Sequence, residues 1–205
     1  MFDTSAFIEG LLLGAGLFTS VGPKDAFVIK RSLAGRYLIL IAIICAGSDA
    51  LLIALGCNGL AATLSHSPRL LDYALWGGVA YLACHGLLAL RSALQSKKNA
   101  ALDAVQHQSL MRTLLATAAV SLLNPYAWVD TVLVIGSILA SRPSGVRMPF
   151  ALGAVAASFA WFLFLTYGAR SCRALFARPI AWRALDGLVA MMMLGVAFHL
   201  AASKL

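Results

Sequence analysis

The chain has 205 residues, of which 61% are hydrophobic and only 12% are charged, roughly half the charged fraction of an ordinary soluble domain. This composition excludes a water-soluble globular protein and indicates an integral membrane protein. The net charge of +8 does not indicate a nucleic-acid partner, because the cations are scattered over several loops without interleaved aromatic residues.

Six apolar segments are long enough to cross a lipid bilayer, which takes roughly 20 helical residues. They are, in chain order, Ala6–Lys30, Leu38–Leu60, Leu70–Leu90, Thr113–Ala140, Met148–Ala169 and Ile180–Ala202. The predicted fold class is therefore an all-α integral membrane protein with six transmembrane helices. The polar stretch of residues 93–111 is predicted to be a cytoplasmic linker between residues 1–92 and residues 112–205. Because the chain opens with acidic rather than basic residues, the first helix is not expected to be a cleaved signal peptide.

The first and fourth segments each contain a proline after a turn residue, Gly22-Pro23 and Asn124-Pro125. A proline inside a helix lacks an amide hydrogen and clashes with the carbonyl four residues earlier, so both helices are predicted to be broken. Freed backbone groups cannot face lipid. We therefore expect the two breaks to lie together near the membrane midplane. An ordinary proline kink is the alternative.

Charged residues accompany these breaks and also interrupt the second segment. Lys24 and Asp25 follow Pro23, Asp130 follows Pro125, and Asp49 lies within IICAGSDALLIALG. A charge at the centre of a membrane helix costs roughly 2.5 to 3.5 kcal/mol, and such residues are usually functional. The structural alternatives are that Asp49 partners Lys24, that Asp130 makes a cap or helix contact, and that Lys24 and Asp25 neutralise each other.

The two halves of the chain share a pattern. The third helix contains DYALWGGVAYLACH and the sixth contains DGLVAMMMLGVAFH, each with Asp at its start and His at its end. With the two broken helices and the second and fifth helices, three successive helices match three others in order. Because three is odd, the second half is predicted to be inverted in the membrane. Asp72 and Asp186 are expected near helix starts, where carboxylates complement exposed amide hydrogens.

Lys and Arg residues are unevenly distributed between the two sides of the membrane. Four fall after even-numbered helices, at positions 69, 142, 147 and 204. Eleven follow odd-numbered helices, namely Lys30, Arg31, Arg36, Arg91, Lys97, Lys98, Arg112, Arg170, Arg173, Arg178 and Arg183. The positive-inside rule then predicts cytoplasmic odd-numbered loops and both termini outside.

Four stretches of the chain together resemble the lysine exporter (LysE) family of bacterial amino-acid efflux carriers, and most closely its lysine and arginine exporting branch: GLLLGAGLFTSVGPKDAFVIKRSL, SDALLIALG, WGGVAYL and LLNPYAWVDT. The resemblance covers essentially the whole chain. It implies an exporter of the bacterial inner membrane with its site between the two halves. The functional positions that it implies are Gly22, Pro23, Asp49, Asn124, Pro125 and Asp130.

The chain departs from the usual family pattern at the first break. Where the family usually has Gly-Pro-Gln-Asn, this chain has Gly22-Pro23-Lys24-Asp25. Lys24 could repel a cationic substrate side chain or pair with a substrate carboxylate. With three intramembrane carboxylates against one ammonium, a basic amino acid is the expected substrate.

Export of a cation against an interior-negative potential costs about 2.3 kcal/mol per 100 mV, so export must be coupled to the movement of another ion. Exchange with an entering proton would cancel the charge movement, and we expect Asp49 to alternate between proton and substrate. Export of a neutral amino acid or another small amine-bearing solute is the alternative. No H-E-x-x-H, G-x-S-x-G or C-x-x-C motif indicates an enzyme, and no cofactor or metal is expected. The sequence leaves open whether the chains form a homo-oligomer.

Overall fold

The computed structural model describes residues 2–19, 22–33, 35–60, 68–94, 109–122, 124, 127–172, 174 and 179–202. The described residues are helical apart from short turns and include no strand. They form eight α-helices, α1 Thr4–Phe18, α2 Pro23–Leu33, α3 Leu38–Leu55, α4 Pro68–Leu94, α5 Leu110–Leu122, α6 Gly136–Ala140, α7 Ser144–Ser171 and α8 Pro179–Ala202. Two π-helical segments, π1 Gly56–Leu60 and π2 Trp128–Ile135, extend α3 and lead into α6.

The first predicted helix is divided into α1 and α2, which confirms the break at Gly22-Pro23. Pro23 is the first residue of α2, where the missing amide hydrogen costs nothing because the first amides of a helix have no intrahelical partner. Asp3 caps the start of α1, since its Oδ1 accepts a hydrogen bond from the Ala6 amide at 3.0 Å. The first predicted segment therefore forms two short helices rather than one continuous membrane-spanning helix.

The fourth predicted helix is divided in the same way. Helix α5 ends at Leu122 and π2 begins at Trp128, with Asn124 outside either helix. The carbonyl oxygen of Asn124 accepts the amide of Ala127 at 3.1 Å, so it starts the second half of the helix. Pro125, the predicted cause of the break, lies outside the described residues.

Four described helices are long and apolar enough to cross a membrane: Leu38–Asn58, Trp76–Leu94, Ser144–Ser171 and Ile180–Ala202. They correspond to the second, third, fifth and sixth predicted segments. The described part also contains two shorter apolar helices, Thr4–Phe18 and Leu110–Leu122, which are the halves that precede the breaks. The protein is thus an all-helical, multi-pass membrane protein.

Helix packing is reciprocal between the two halves of the chain. Helices α1 and α2 pack against α7, whereas α5 and π2 pack against α3. The two unbroken helices α3 and α7 pack on each other, and α4 packs on α8. Each broken helix therefore lies against the first long helix of the other half.

Glycines allow the contact between α1 and α7 to be close. A methyl group added at Gly10 would overlap the carbonyl oxygen of Phe150, and one added at Gly153 would overlap that of Phe7. Gly14 likewise lies close to Ala154 and Ala157, so small residues on α1 permit the close approach of the two helices. This tight seam fixes α1, and with it the first break, against α7.

Ion pairs connect helices near both ends of the bundle. At one end, Asp186 accepts hydrogen bonds from Lys30 Nζ at 2.8 Å and from Ser92 Oγ at 2.6 Å. At the other end, Glu9 of α1 pairs with Arg142, just before α7. The prediction that Asp186 complements a helix start is wrong, because α8 begins at Pro179, two turns earlier. Asp186 instead joins α8 to the ends of α2 and α4.

Candidate substrate site

A buried ion pair lies where the first break meets α3. Lys24 Nζ is 2.6 Å from Asp49 Oδ1 and donates a second hydrogen bond to the carbonyl oxygen of Cys45 at 3.1 Å. The same ammonium lies 4.4 Å from the centroid of the Phe162 ring, a cation–π contact. Lys24 is 6% exposed and Asp49 is 2% exposed, so both charges are withdrawn from solvent and from lipid.

The expected alternative that Lys24 and Asp25 neutralise each other is wrong for this structure. Consecutive residues on a helix do not face each other, and the two side chains of α2 accordingly find different partners. Lys24 pairs with Asp49, whereas Asp25 accepts the Gly22 amide at 2.7 Å through Oδ2 and the Trp161 indole N–H at 3.1 Å through Oδ1. The structural alternative for Asp49, a partnership with Lys24, is confirmed.

Asp25 also explains how α2 can begin in the middle of the protein. Gly22 precedes the helix and Asp25 is its third residue, so the carboxylate reaches back to the Gly22 amide as in a capping box. The break at Pro23 is therefore stabilised by the side chain of Asp25, two residues after it.

Helix α7 supplies three side chains that the sequence analysis did not single out. Ser158 donates a hydrogen bond to Asp49 Oδ2 at 2.7 Å, Trp161 binds Asp25, and Phe162 lies against the Lys24 ammonium. Their i, i+3, i+4 spacing places them on one face of α7. A serine and a tryptophan at this spacing inside an apolar span were the available signal.

A cavity of about 50 Å³ lies between the two breaks, α3 and α7. Its lining includes Phe18, Gly22, Lys24, Asp25, Asp49 and Asn124. The cavity thus brings together residues from both broken helices, as predicted. Asn124 is buried here. Asp130, the remaining candidate, lies within π2, and its side chain is outside the described part of the structure.

The volume and charge of the cavity limit what it can hold in this conformation. Sites for small molecules usually enclose roughly 300 to 1,000 Å³, so about 50 Å³ holds only a few water molecules. In this conformation the cavity is therefore too small to hold an amino acid. The described ionisable groups that line it are the amino group of Lys24 and the carboxyl groups of Asp25 and Asp49. With one acidic group more than it has basic groups, the site can balance the charge of one additional cation.

Several apolar helices that bury charged side chains beside two facing helix breaks define a membrane translocator. The LysE type translocator family matches residues 15–204. The chain belongs to this family, whose members are transporters rather than enzymes. The family resemblance seen in the sequence motifs is thereby confirmed.

Similar proteins are found in several bacteria. The arginine exporter protein ArgO of Enterobacter sp. (strain 638) is 38% identical over 197 residues, which cover 96% of this chain and 93% of the relative. The arginine exporter protein ArgO of Pectobacterium carotovorum subsp. carotovorum is 36% identical over 197 residues, covering 96% of this chain and 97% of that protein. No solved structure matches the chain.

Proposed function

We propose that the protein exports basic amino acids, lysine or arginine, from the cytoplasm in exchange for protons. The observation that carries this proposal is the buried centre of Lys24, Asp25 and Asp49, which has two acidic groups and one basic group. Relatives that match nearly the whole chain are named arginine exporters, which agrees with a cationic substrate.

We further propose that residues 1–92 and 112–205 are two inverted three-helix repeats joined by the linker 93–111, with six membrane crossings. The reciprocal packing of each broken helix on the long helix of the other half supports this arrangement. The basic loops would face the cytoplasm and both termini would lie outside in the bacterial inner membrane. In this arrangement the two breaks meet on the axis that relates the repeats.

The substrate site then consists of Lys24, Asp25, Asp49, Asn124 and Asp130, between helix breaks at Gly22-Pro23 and Pro125. Half-helix ends and the polar side chains beside them offer partners for the ammonium and carboxylate groups of an amino acid. Because the described cavity is too small for an amino acid, one repeat must rock against the other to admit a guest. Rocking in one direction would open the site to the cytoplasm, and rocking in the other would open it to the outside.

Coupling follows from the charge of the substrate. Outward movement of one positive charge costs about 2.3 kcal/mol per 100 mV against an interior-negative potential. An inward proton cancels that movement, and a carboxylate of the site can carry it. Imposing a pH gradient on proteoliposomes should therefore drive uptake of labelled arginine, and uptake that ignores the gradient would contradict proton exchange.

A second candidate is export of a neutral amino acid or another small amine-bearing solute. The adjacent Lys24 ammonium and Asp49 carboxylate favour it, since together they match the carboxylate and ammonium of any zwitterion. A growth test separates the two. In a host strain without its own exporters, this protein should relieve the toxicity of arginine and lysine dipeptides. Relief of neutral dipeptides alone would establish the second candidate.

A further inference from the structure

The ammonium group of Lys24 already occupies a complete cation-binding subsite. The subsite consists of the Asp49 carboxylate, the Cys45 carbonyl oxygen and the face of Phe162. These are also the kinds of group that bind a free guanidinium or ammonium ion. Ser158 holds the second oxygen of Asp49, so the carboxylate is fixed in position. A basic substrate that enters this cavity meets a subsite filled by a residue of the protein itself.

Asp25 is the carboxylate of this centre that has no cationic hydrogen-bond partner in the described part of the chain. Its oxygens accept from the Gly22 amide and the Trp161 indole, which are both neutral donors. The titratable groups that face it are Lys24 on its own helix and Asp49 and Cys45 on α3. Within the described residues of α5, α7 and α8, no further charged group acts on it.

Lys24 can serve both carboxylates in turn. Its ammonium ends a flexible four-carbon stem, and Lys24 and Asp25 are neighbours in the first turn of α2. The two side chains leave the helix in different directions, but both line the same cavity. Rotation about the bonds of the long lysine stem would therefore carry Nζ through the cavity from Asp49 toward Asp25 without moving the helix.

We propose that Lys24 is a tethered occupant of the Asp49 cation subsite and moves to Asp25 when a basic amino acid binds. This inference rests on the proposed function. On the cytoplasmic side, the substrate cation takes the place of Lys24 at Asp49. Lys24 then pairs with Asp25, whose proton leaves to the cytoplasm. After the substrate departs outside, Lys24 returns to Asp49 and Asp25 takes a proton from the outer solution.

Each state of this cycle has its buried charges paired. In the loaded state, the substrate cation is paired with Asp49 and Lys24 with Asp25. In the empty state, Lys24 is paired with Asp49 and Asp25 is protonated and neutral. A state with an unpaired buried charge is costly in a membrane, which prevents movement with only one of the two cargoes. One proton enters for each cation exported. The only covalent bond that forms and breaks in the cycle is the O–H bond of the Asp25 carboxyl group.

Arginine binding and proton release by the purified protein test this inference. The wild-type protein in weakly buffered solution should release about one proton per arginine bound. Asp25→Asn keeps an oxygen that can accept the Gly22 amide but removes the second position for Lys24. Arginine binding should then weaken roughly tenfold or more, and proton release should cease.

Adding Lys24→Gln to Asp25→Asn should restore arginine binding to at least the wild-type affinity, because the tethered competitor is gone and the net charge of the site is kept. Arg36→Gln removes an exposed cation two residues before α3 and should leave binding unchanged. Lys24→Arg retains a cation that can bind Asp49 through two hydrogen bonds, so the half-saturation concentration for arginine should rise several-fold.

Three results would overturn the inference. They are unchanged binding and proton release by Asp25→Asn, a further loss of affinity when Lys24→Gln is added, and unchanged or tighter binding by Lys24→Arg. The second result would indicate that Lys24 contacts the substrate carboxylate. If the wild-type protein binds neither lysine nor arginine, the proposed function is wrong and the switch is wrong with it.

Discussion

Asp49→Asn tests the buried ion pair most sharply because it removes one charge and little volume. Lys24 is only 6% exposed, and the substitution leaves its ammonium with the Cys45 carbonyl oxygen at 3.1 Å and the Phe162 ring at 4.4 Å as its remaining original partners. Removing one member of a buried ion pair typically costs about 3 to 5 kcal/mol when the other charge stays buried without compensation. Because Asp25 can offer Lys24 a second partner, we expect a cost toward the lower end of this range.

For a chain of about this size, each kcal/mol lowers the unfolding temperature by about 2 to 4 °C, so Asp49→Asn should lose about 6 to 20 °C. A double variant, Lys24→Met with Asp49→Leu, replaces both charges with apolar groups of similar size, a change that is often neutral or stabilising. It should recover most of the lost stability. Neither variant should transport arginine, because both lack the carboxylate.

Thermal unfolding in detergent and proton-coupled uptake by proteoliposomes should be measured on the same preparations. The reasoning is refuted if Asp49→Asn unfolds at the wild-type temperature, or if the double variant is as unstable as the single one. Full proton-coupled transport by Asp49→Asn would show that the carboxylate has no part in the transport cycle.

Three further substitutions test the surroundings of the site. Gly10→Leu should cost about 2 to 3 kcal/mol, because α7 leaves no room for a side chain at this position. The control Gly16→Leu, on the same helix, has nothing within 4 Å of the added carbon and should unfold at the wild-type temperature. Equal unfolding temperatures of the two variants would contradict the close contact between α1 and α7. Trp161→Phe keeps the aromatic packing but removes the donor to Asp25, and should cost about 2 kcal/mol in thermal unfolding, with no loss expected if that hydrogen bond is unimportant. Lys30→Gln leaves Asp186 with only the hydroxyl of Ser92 as a partner and should cost about 1 to 3 kcal/mol. An unchanged unfolding temperature would show that the Lys30–Asp186 ion pair does not stabilise the packing of α2 on α8.

The helix breaks and the charged residues beside them could be predicted because their chemistry is local. A proline cannot continue the hydrogen-bond ladder wherever the rest of the chain lies, so the interruption after Gly22 follows from the sequence alone. Burial of Asp49 was likewise indicated by the apolar residues on both sides of it. The cavity that brings Gly22 and Asn124 together agrees with the expectation that the two breaks are adjacent.

The partners of these residues could not be predicted, because they depend on how helices pack. The sequence could not show which carboxylate would pair with Lys24, since Asp25 is nearer along the chain but Asp49 is nearer in the structure. In the sequence, Ser158 is indistinguishable from a small packing residue. Its hydrogen bond to Asp49 depends on the packing of α7 against α3. Asp186 was assigned to a helix start although the predicted segment begins at Ile180, close to the observed start of α8 at Pro179. Its actual partners, Lys30 and Ser92, depend on how α8 packs against α2 and α4. The inverted repeats and the role of Asp130 remain predictions.

Counterflow in proteoliposomes tests the central claim, transport of a basic amino acid through this buried centre, most directly. Vesicles loaded with unlabelled arginine should accumulate labelled arginine and lysine through the wild-type protein, whereas vesicles carrying Asp49→Asn should not. Labelled leucine or alanine should not accumulate. Counterflow of neutral amino acids alone, or equal counterflow of arginine through both proteins, would contradict the account.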